Sequence, residues 1–261
     1  MLKERIITAV IAVAALLLVL FVLPQAVAQV VVAAVILLGA WEWSGFLGSQ
    51  STPLRAGYVA LIAILMGLVT WSAPQIDGLL FQLALAWWVG ALLRTLFYPT
   101  PIPGAVRWIA GALVLLPLYK ALVVLYLASP TVLLGALLIV WAADTGAFVA
   151  GKAFGRVKLA PKISPGKTWE GVIGGLIAVA ALAVAGAYLF DVRIAVLVPF
   201  CLAVACASIV GDLTVSMFKR TAGLKDSGAI FPGHGGILDR VDSVAAAAPL
   251  FALGVGWTGL Q

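Results

Sequence analysis

Charge is scarce in this sequence. Only 10% of the 261 residues are Asp, Glu, Lys or Arg, there is a single histidine, and 64% of the residues are hydrophobic. With a mean hydropathy of +1.18, this composition excludes a soluble globular protein, and no soluble domain of useful size fits between the apolar runs. The net charge of +6 does not indicate nucleic-acid binding, because the chain has no soluble basic module with interleaved aromatic residues.

Cysteine is also rare. The two cysteines, Cys201 and Cys206, lie inside one apolar run. This position predicts small buried packing residues and argues against a disulfide or a zinc site. Cysteine content therefore says nothing about the redox compartment.

Apolar runs recur along nearly the whole chain. A membrane-spanning helix needs about 20 apolar residues, and the sequence therefore predicts an all-α, polytopic integral membrane protein with about nine transmembrane helices. Gly174 and Gly175 predict close packing between the later helices. The predicted spans cover approximately residues 1–23, 26–46, 57–71, 79–98, 105–128, 131–150, 172–190, 194–213 and 244–261.

Basic residues set the predicted orientation. With a cytoplasmic N-terminus, fourteen of the sixteen Lys and Arg residues face the cytoplasm, and only Lys120 and Arg193 do not. The positive-inside rule favours this orientation and places the C-terminus in the periplasm, across a bacterial-type inner membrane. Lys120 lies inside a predicted span, where it either snorkels or lines a cavity.

Candidate chemistry is concentrated in the second half of the chain. We interpret residues 1–98 as an anchoring and packing portion, and residues 105–261 as a catalytic portion with cytoplasmic loops at 151–171 and 214–243. Asp144 lies inside a predicted span. Inserting a carboxylate into the membrane costs about 3 kcal/mol of free energy, and Asp144 is therefore a functional candidate. The alternative is an acid near the interface that caps a helix or forms a pair.

The first cytoplasmic loop combines hydroxyls, a cation and an acid just before a predicted helix, whose N-terminus favours phosphate. Its stretch Gly166-Lys167-Thr168 is superficially similar to a P-loop, but the upstream glycine is missing and no strand is predicted before it. The alternative is a loop that only sets topology. The candidate residues are Ser164, Lys167, Thr168 and Glu170.

The strongest signal is the segment Ser216–Asp242. Its Lys and Arg residues supply positive charge suited to phosphate oxygens, and its aspartates supply hard oxygen ligands suited to Mg²⁺. Glycines around His234 allow the backbone to approach a ligand closely. A basic topogenic loop with Asp239 as a helix cap would explain the cations, but not the other aspartates or the Gly-His-Gly-Gly turn.

Two predicted helix ends carry acids on one face. On a continuous helix, Asp212, Ser216 and Lys219 share a face, and Asp239 and Asp242 share a face of the next helix. We infer that Asp212 and Asp239 converge on Mg²⁺ from adjacent helices. The alternative is capping by Asp239 together with an ion pair from Asp212 to Lys219.

The segment Ser216–Asp242 resembles the signature of the phosphatidate cytidylyltransferases, also called CDP-diacylglycerol synthases. That signature runs S-x-x-K-R-x4-K-D, a short spacer, and P-x-H-G-G-x-x-D-R-x-D, and all twelve specified positions match over 27 residues. The Asp-Thr-Gly-Ala-Phe stretch at Asp144 and the Ser-Pro-x-Lys-Thr-x-Glu-Gly stretch at Ser164 resemble the same family. The one departure is Gly166, where the family commonly has a basic or polar residue.

The resemblance implies transfer of CMP from CTP to phosphatidate, which gives CDP-diacylglycerol and pyrophosphate for phospholipid biosynthesis. It implies CTP and membrane phosphatidate as partners and Mg²⁺, alone or with a second cation, as cofactor, and it leaves a homodimer open. Implied catalytic residues are Lys219, Arg220, Lys225, Asp226, His234 and Arg240. Implied substrate-binding residues are Ser164, Lys167, Thr168, Glu170, Ser216, Gly235 and Gly236, and implied metal ligands are Asp144, Asp212, Asp239 and Asp242.

His234 is interpreted as a hydrogen-bonding or turn residue, because a phosphate monoester is already ionised at neutral pH and needs no strong general base. Three other functions remain. A CDP-alcohol phosphotransferase needs a D-G-x2-A-R motif that this chain lacks. A CTP-dependent polyprenol or dolichol kinase is opposed only by the complete signature. A transporter predicts charges near the midplane of several spans, whereas these charges cluster at the ends of late spans.

Overall fold

The computed structural model describes residues 2–49, 51–71, 74–228 and 235–259. Within these ranges the chain forms nine α-helices, one short 3₁₀ turn at Gly45–Leu47 and one two-stranded hairpin. The elements are α1 (Leu2–Phe21), α2 (Gln25–Ser44), α3 (Thr52–Thr70), α4 (Pro74–Leu96), α5 (Gly104–Ala128), α6 (Pro130–Phe154), β1 (Lys158–Ala160), β2 (Ser164–Thr168), α7 (Trp169–Leu189), α8 (Ile194–Thr221) and α9 (Leu238–Thr258).

The helices have the length and apolarity of membrane spans. Within the described residues, the eight helices α2 to α9 are long and apolar enough to cross a bilayer, and α1 contributes a shorter apolar stretch, Val10–Phe21. The predicted all-α, polytopic membrane fold is therefore confirmed. Among the spans, α5 and α9 are mainly buried inside the bundle.

Local sequence signals explain where the site-bearing helices begin. The hydroxyl of Ser129 accepts a hydrogen bond from Thr131 N, and Pro130 occupies the first turn of α6. The hydroxyl of Thr168 accepts a hydrogen bond from Gly171 N at 3.1 Å and caps α7. Thr168 thus acts as an N-cap, which places the hairpin directly against the start of a helix.

The signature segment is more helical than the sequence indicates. The predicted eighth span ends near residue 213, whereas α8 continues to Thr221, and α9 begins at Leu238 instead of near residue 244. Lys219 and Arg220 therefore lie on the last turns of α8 and not in a loop. The continuous α8 confirms the single helical face expected for Asp212, Ser216 and Lys219.

The hairpin is a feature that the sequence analysis missed. β1 and β2 pair antiparallel, with Lys158 opposite Thr168 and Ala160 opposite Ser164. Lys167 lies on β2, which is also the last element before α7. No strand was predicted before Gly166-Lys167-Thr168. In the structure β1 precedes this stretch, and the stretch itself is part of β2.

Small residues let α6 and α7 pack closely, as Gly174 and Gly175 predict. A Cβ added at Gly175 would lie 2.6 Å from the backbone oxygen of Ala143, and one added at Gly146 would lie 2.8 Å from the backbone oxygen of Gly174. No larger side chain fits at these crossings. This packing fixes Asp144, the residue after Ala143, beside the hairpin that precedes α7.

Contacts among helix ends define two ends of the bundle. At the site end, α2, α4, α6 and α8 finish and α3, α5, α7 and α9 begin. There Arg55 donates to the hydroxyl of Ser44 at 2.9 Å, and Arg107 donates to the backbone oxygen of Phe46 at 3.2 Å. At the opposite, far end, the buried Lys120 pairs with Asp77 at 3.0 Å and donates to Val69 O at 3.0 Å.

The cysteine prediction holds in part. Both residues are free thiols in the structure, and the expectation that they form neither a disulfide nor a zinc site stays a prediction. Cys201 is buried, but Cys206 is exposed, and the expectation that both are buried packing residues is wrong for it. Cys206 lies on the outward side of α8, where it lines a groove with Lys162 and Leu213.

Candidate active site

The hairpin is attached to α8 by two contacts. Lys167 Nζ lies 2.6 Å from Asp212 Oδ2. Arg220 donates through Nε to the backbone oxygen of Ile163, in the hairpin turn, at 3.1 Å, and through Nη1 to Leu224 O at 3.4 Å. The two cytoplasmic segments predicted from the sequence therefore meet, and Arg220 contributes to the joint through backbone carbonyls.

The polar face of α8 continues from Asp212 toward Lys219. Ser216 donates its hydroxyl hydrogen to Asp212 Oδ1 at 3.2 Å. One turn further, the ammonium of Lys219 is buried, with only 8% of the residue exposed. Asp212 thus receives one contact from the hairpin and one from its own helix.

Lys219 connects α8 to α9. Its ammonium lies 2.7 Å from Asp239 Oδ1 and 3.9 Å from Asp242 Oδ2. The second oxygen of Asp239 accepts hydrogen bonds from the backbone N–H groups of Ser227 and Gly236, both at 2.9 Å. Asp239 therefore organises the backbone before α9, and its lysine partner is Lys219. The ion pair considered between Asp212 and Lys219 is replaced by Lys167–Asp212 and Lys219–Asp239.

Close helix approach brings a third acid to this group. A Cβ at Gly211 would clash with the backbone oxygen of Asp242, so α8 and α9 cross tightly beside Asp212. Asp212 lies close enough to Asp242 and Asp144 for their like charges to repel, and Lys167 attracts both. Ser243 lines the same small cavity as Asp144 and Asp242. Three helices, α6, α8 and α9, thus contribute one acid each.

Two cavities meet at these acids. The larger, of about 480 Å³, lies between α6, α7, α8 and the hairpin. The other, of about 370 Å³, lies toward α9. Asp144 and Asp212 line both cavities and form the boundary between them. The larger cavity is lined by Lys152, Ser164, Lys167 and Thr168 together with apolar residues, and the smaller by Lys219, Asp226, Asp239, Arg240 and Asp242.

The donor set suits a hard cation, although the acids are not arranged as a finished metal cage. Among the described side chains, no three Asp, Glu, Cys or His residues are grouped closely enough to hold an ion. The ammonium groups of Lys167 and Lys219 lie between the acids instead. Carboxylate oxygens from Asp144, Asp212 and Asp242 are the ligands that Mg²⁺ prefers.

Some predicted site residues lie elsewhere or outside the described residues. Glu170 is half-buried and accepts from Val157 N through both oxygens, at 3.1 and 3.2 Å, away from Lys167. Lys225 is exposed on the stretch after α8. His234 lies outside the described residues. Gly235 has φ +78°, a conformation that favours glycine, and a Cβ there would lie 2.5 Å from Asp239 Oδ2.

One residue of this region was missed in the sequence. Glu42, near the end of α2, is buried and accepts hydrogen bonds from Ser227 and from the first residues of α9. An acid inside an apolar run was the available signal, and the same rule that singled out Asp144 applies to Glu42.

Known proteins are similar in sequence to nearly the whole of this chain. The sequence model of the cytidylyltransferase family matches residues 3–256. The phosphatidate cytidylyltransferase of Pseudomonas aeruginosa is 43% identical over 275 residues, which cover 98% of this chain and 99% of that protein. The Haemophilus influenzae enzyme of the same name is 36% identical over 288 residues, with coverage of 97% and 98%. The enzyme of that name from Staphylococcus aureus (strain COL) is 48% identical over 120 residues, 45% of this chain and 46% of that protein.

Proposed function

The chain belongs to the cytidylyltransferase family, and from this membership we propose that it transfers CMP from CTP to phosphatidate. The products are CDP-diacylglycerol and pyrophosphate. The two relatives that match nearly the whole chain are named phosphatidate cytidylyltransferase. The kinase and transporter alternatives are not favoured by any of these similarities.

One observation carries the proposal at the level of structure. Lys167 of the hairpin and Lys219 of α8 are each ion-paired with an aspartate, at 2.6 and 2.7 Å, on either side of the boundary between the two cavities. An ammonium held on a carboxylate can exchange that partner for a phosphate oxygen. The site therefore offers two cations to phosphates and, at the same time, releases carboxylates for a metal ion.

The reaction needs positioning and charge neutralisation more than acid–base chemistry. A phosphate oxygen of phosphatidate forms a bond to the α-phosphorus of CTP, and the bond from that phosphorus to the bridging oxygen of pyrophosphate breaks. The attacking phosphate is already ionised at neutral pH. Lys167 and Lys219 then hold the two anions near each other and stabilise the charge that moves onto pyrophosphate.

We assign Mg²⁺ to the acids of three helices, which would close on the ion once the ammonium groups of Lys167 and Lys219 move onto phosphates. Asp144, Asp212 and Asp242 would hold it, because hard oxygen ligands from a few carboxylates leave coordination positions for substrate oxygens. A bound Mg²⁺ supplies charge neutralisation for the triphosphate and for the leaving pyrophosphate. Asp239 has a different role in this proposal, because the backbone N–H groups of Ser227 and Gly236 hold its second oxygen and cannot move onto a phosphate as a lysine side chain can.

The larger cavity suits a lipid that carries a phosphate. Its polar side has Ser164 and Lys167, and its apolar side has Ala147, Phe148 and Ile209 from the membrane helices α6 and α8. Phe148 is exposed on the bundle surface. A ligand with a charged head and acyl chains would satisfy both sides, which supports phosphatidate as the acceptor.

The site end faces the cytoplasm in this proposal. Arg55, Arg107, the basic hairpin and the end of α8 all lie at that end, as the charge pattern of the sequence predicts. The N-terminus is then cytoplasmic and the C-terminus periplasmic, in a bacterial inner membrane. CTP reaches the cavities from the side where nucleotide triphosphates are present.

Purified protein tests this proposal when it is incubated with CTP, phosphatidate and Mg²⁺ in detergent with added lipid. We expect a cytidine-containing product that partitions into the organic phase and depends on all three components. A phosphatidate-dependent product that forms equally well without Mg²⁺ would remove the metal from the mechanism. No lipid-soluble cytidine product from folded protein would overturn the proposed reaction.

A further inference from the structure

Glu42 is a buried carboxylate with no role in the proposed chemistry. Only 2% of the residue is exposed, and it lies in the last turn of α2. Its Oε1 accepts a hydrogen bond from Ile237 N at 2.9 Å, and its Oε2 accepts hydrogen bonds from Leu238 N at 2.7 Å and from the hydroxyl of Ser227 at 2.8 Å. A charge at this depth needs partners of this kind to be tolerated.

The partners of Glu42 belong to two separate stretches of the signature segment. Ser227 follows α8, whereas Ile237 and Leu238 form the start of α9. The same two stretches also meet on Asp239, whose Oδ2 accepts from Ser227 N and Gly236 N. Ser227 therefore bridges two carboxylates, with its hydroxyl on Glu42 and its amide on Asp239.

Two glycines show how closely the backbone encloses the Glu42 carboxylate. A Cβ at Gly228 would lie 2.5 Å from Glu42 Oε1, and a Cβ at Gly236 would clash with both carboxylate oxygens. The backbone on both sides thus comes within contact distance of Glu42. A negative charge at the N-terminus of α9 is also favoured by the helix dipole.

The contacts favour an ionised acid over an amide. Three donors converge on two oxygens, so each oxygen must accept. A glutamine would place an NH₂ group against at least one N–H or O–H donor and leave that donor unsatisfied. The site thus selects a carboxylate at Glu42.

We propose that Glu42 is a positioning residue for cytidylyl transfer. By fixing Ser227 and the start of α9, it keeps Asp239 on Lys219 and keeps Asp242 beside Asp212. This inference rests on the proposed function for its kinetic consequence, but its structural consequence can be measured without turnover. It also assigns to the N-terminal helices a part in shaping the site.

The test compares Glu42→Gln with Asp77→Asn. Asp77 is the matched control, because it is a partly buried acid of a membrane helix, ion-paired with Lys120 at the far end of the bundle. We expect both variants to lower the melting temperature in detergent. Only Glu42→Gln should lower kcat, by at least tenfold, while KM for CTP changes less than threefold. Equal kcat for the two variants would overturn the positioning role.

Hydrogen–deuterium exchange provides the readout that needs no activity. In Glu42→Gln the peptide that contains Ile237 and Leu238 should exchange faster than in the wild type, while peptides of α5 and α6 stay unchanged. In Asp77→Asn the peptide at the start of α9 should keep its wild-type exchange. Unchanged exchange at Ile237 and Leu238 in Glu42→Gln would contradict the inference even if activity falls.

A pair of variants tests the contact itself. Gly228→Ala should lower kcat, because the new methyl group meets the Glu42 carboxylate. Alanine causes no backbone strain at this position, because φ is not in the left-handed region. Glu42→Asp withdraws the carboxylate by one methylene and should restore part of the activity of Gly228→Ala. If the fold loss of kcat in the double variant equals the product of the fold losses in Gly228→Ala and Glu42→Asp, the two residues do not act on each other.

The two proposals fail in different ways. A wild-type protein that makes no lipid-soluble cytidine product would overturn the proposed function, and the exchange experiment would still decide whether Glu42 holds the start of α9. A wild-type protein that is active, with unchanged kcat in folded Glu42→Gln, would overturn the role of Glu42 alone.

Discussion

Lys167 and Asp212 form an ion pair of 2.6 Å between β2 of the hairpin and the second half of the membrane helix α8. The two residues are 45 positions apart in the sequence, and the pair is the point where the two predicted cytoplasmic segments become one site. Lys162 lies on the same hairpin but lines the outer groove with Leu92 and Cys206. The hairpin thus presents one lysine to the site and another to the outer surface.

Substitutions of these two lysines should therefore differ. We expect Lys167→Ala to lower kcat/KM by tenfold or more, about 1.4 kcal/mol in the barrier. Lys167→Arg should lose activity measurably, because a forked guanidinium does not replace a point charge at a shaped phosphate site. Lys162→Ala is the control and should stay near the wild type in the CTP and phosphatidate assay. Comparable losses of kcat/KM at both lysines would mean that the charge of the hairpin sets only the membrane topology.

Asp212 makes two contacts at the site, and the ion pair with Lys167 needs its negative charge. Its Oδ2 meets Lys167 and its Oδ1 accepts from Ser216. Asp212→Asn should lower kcat by at least tenfold and weaken the response of activity to Mg²⁺ concentration. Asp191→Asn is the control, since Asp191 is exposed, lies at the far end, and has φ +52°, which asparagine tolerates. Near-normal kcat and Mg²⁺ response in Asp212→Asn would remove this residue from the metal site.

The glycine crossing of α6 and α7 should be sensitive to a single methyl group. In Gly146→Ala the Cβ would lie 2.8 Å from both Gly174 O and Ala178 Cβ, so the helices must separate beside Asp144. We expect a lower melting temperature in detergent and reduced activity. Gly135→Ala, on the same helix with open space around it, should be neutral or slightly stabilising, because alanine favours a helix. Equal behaviour of the two variants would contradict close packing at Gly146.

Orientation can be measured with reporter fusions. A reporter that is active in the periplasm should be active when fused after residue 261, and a cytoplasmic reporter should be active when inserted near Lys158. The hairpin and the C-terminus lie on opposite sides if α7, α8 and α9 all span the membrane. A cytoplasmic C-terminus together with a cytoplasmic hairpin would contradict the proposed orientation.

Much of the fold follows from local patterns in the sequence. Apolar runs predict the helices, Gly174 and Gly175 predict the tight crossing, and the spacing of Asp212, Ser216 and Lys219 predicts their shared face. These features depend on residues within a few turns of one another, or on the helix period alone. The structure confirms each of them.

The remaining features depend on contacts between distant residues. Glu42 meets Ser227, Ile237 and Leu238 across 185 to 196 positions, and no period or spacing rule joins an acid in α2 to the start of α9. The hairpin was missed because β2 is short and contains Pro165 and Gly166, which indicate a turn instead of a strand. The partners of Arg220 are backbone oxygens of Ile163 and Leu224, which residue types cannot reveal.

The position of the transferred phosphorus tests the central claim most directly. Purified protein is incubated with phosphatidate, Mg²⁺ and CTP that carries ³²P either at the α or at the γ position, and the lipid phase is counted. We expect label in the lipid from α-labelled CTP and label in pyrophosphate from γ-labelled CTP. Label in the lipid from γ-labelled CTP, with none from α-labelled CTP, would mean kinase chemistry and would contradict cytidylyl transfer at this site.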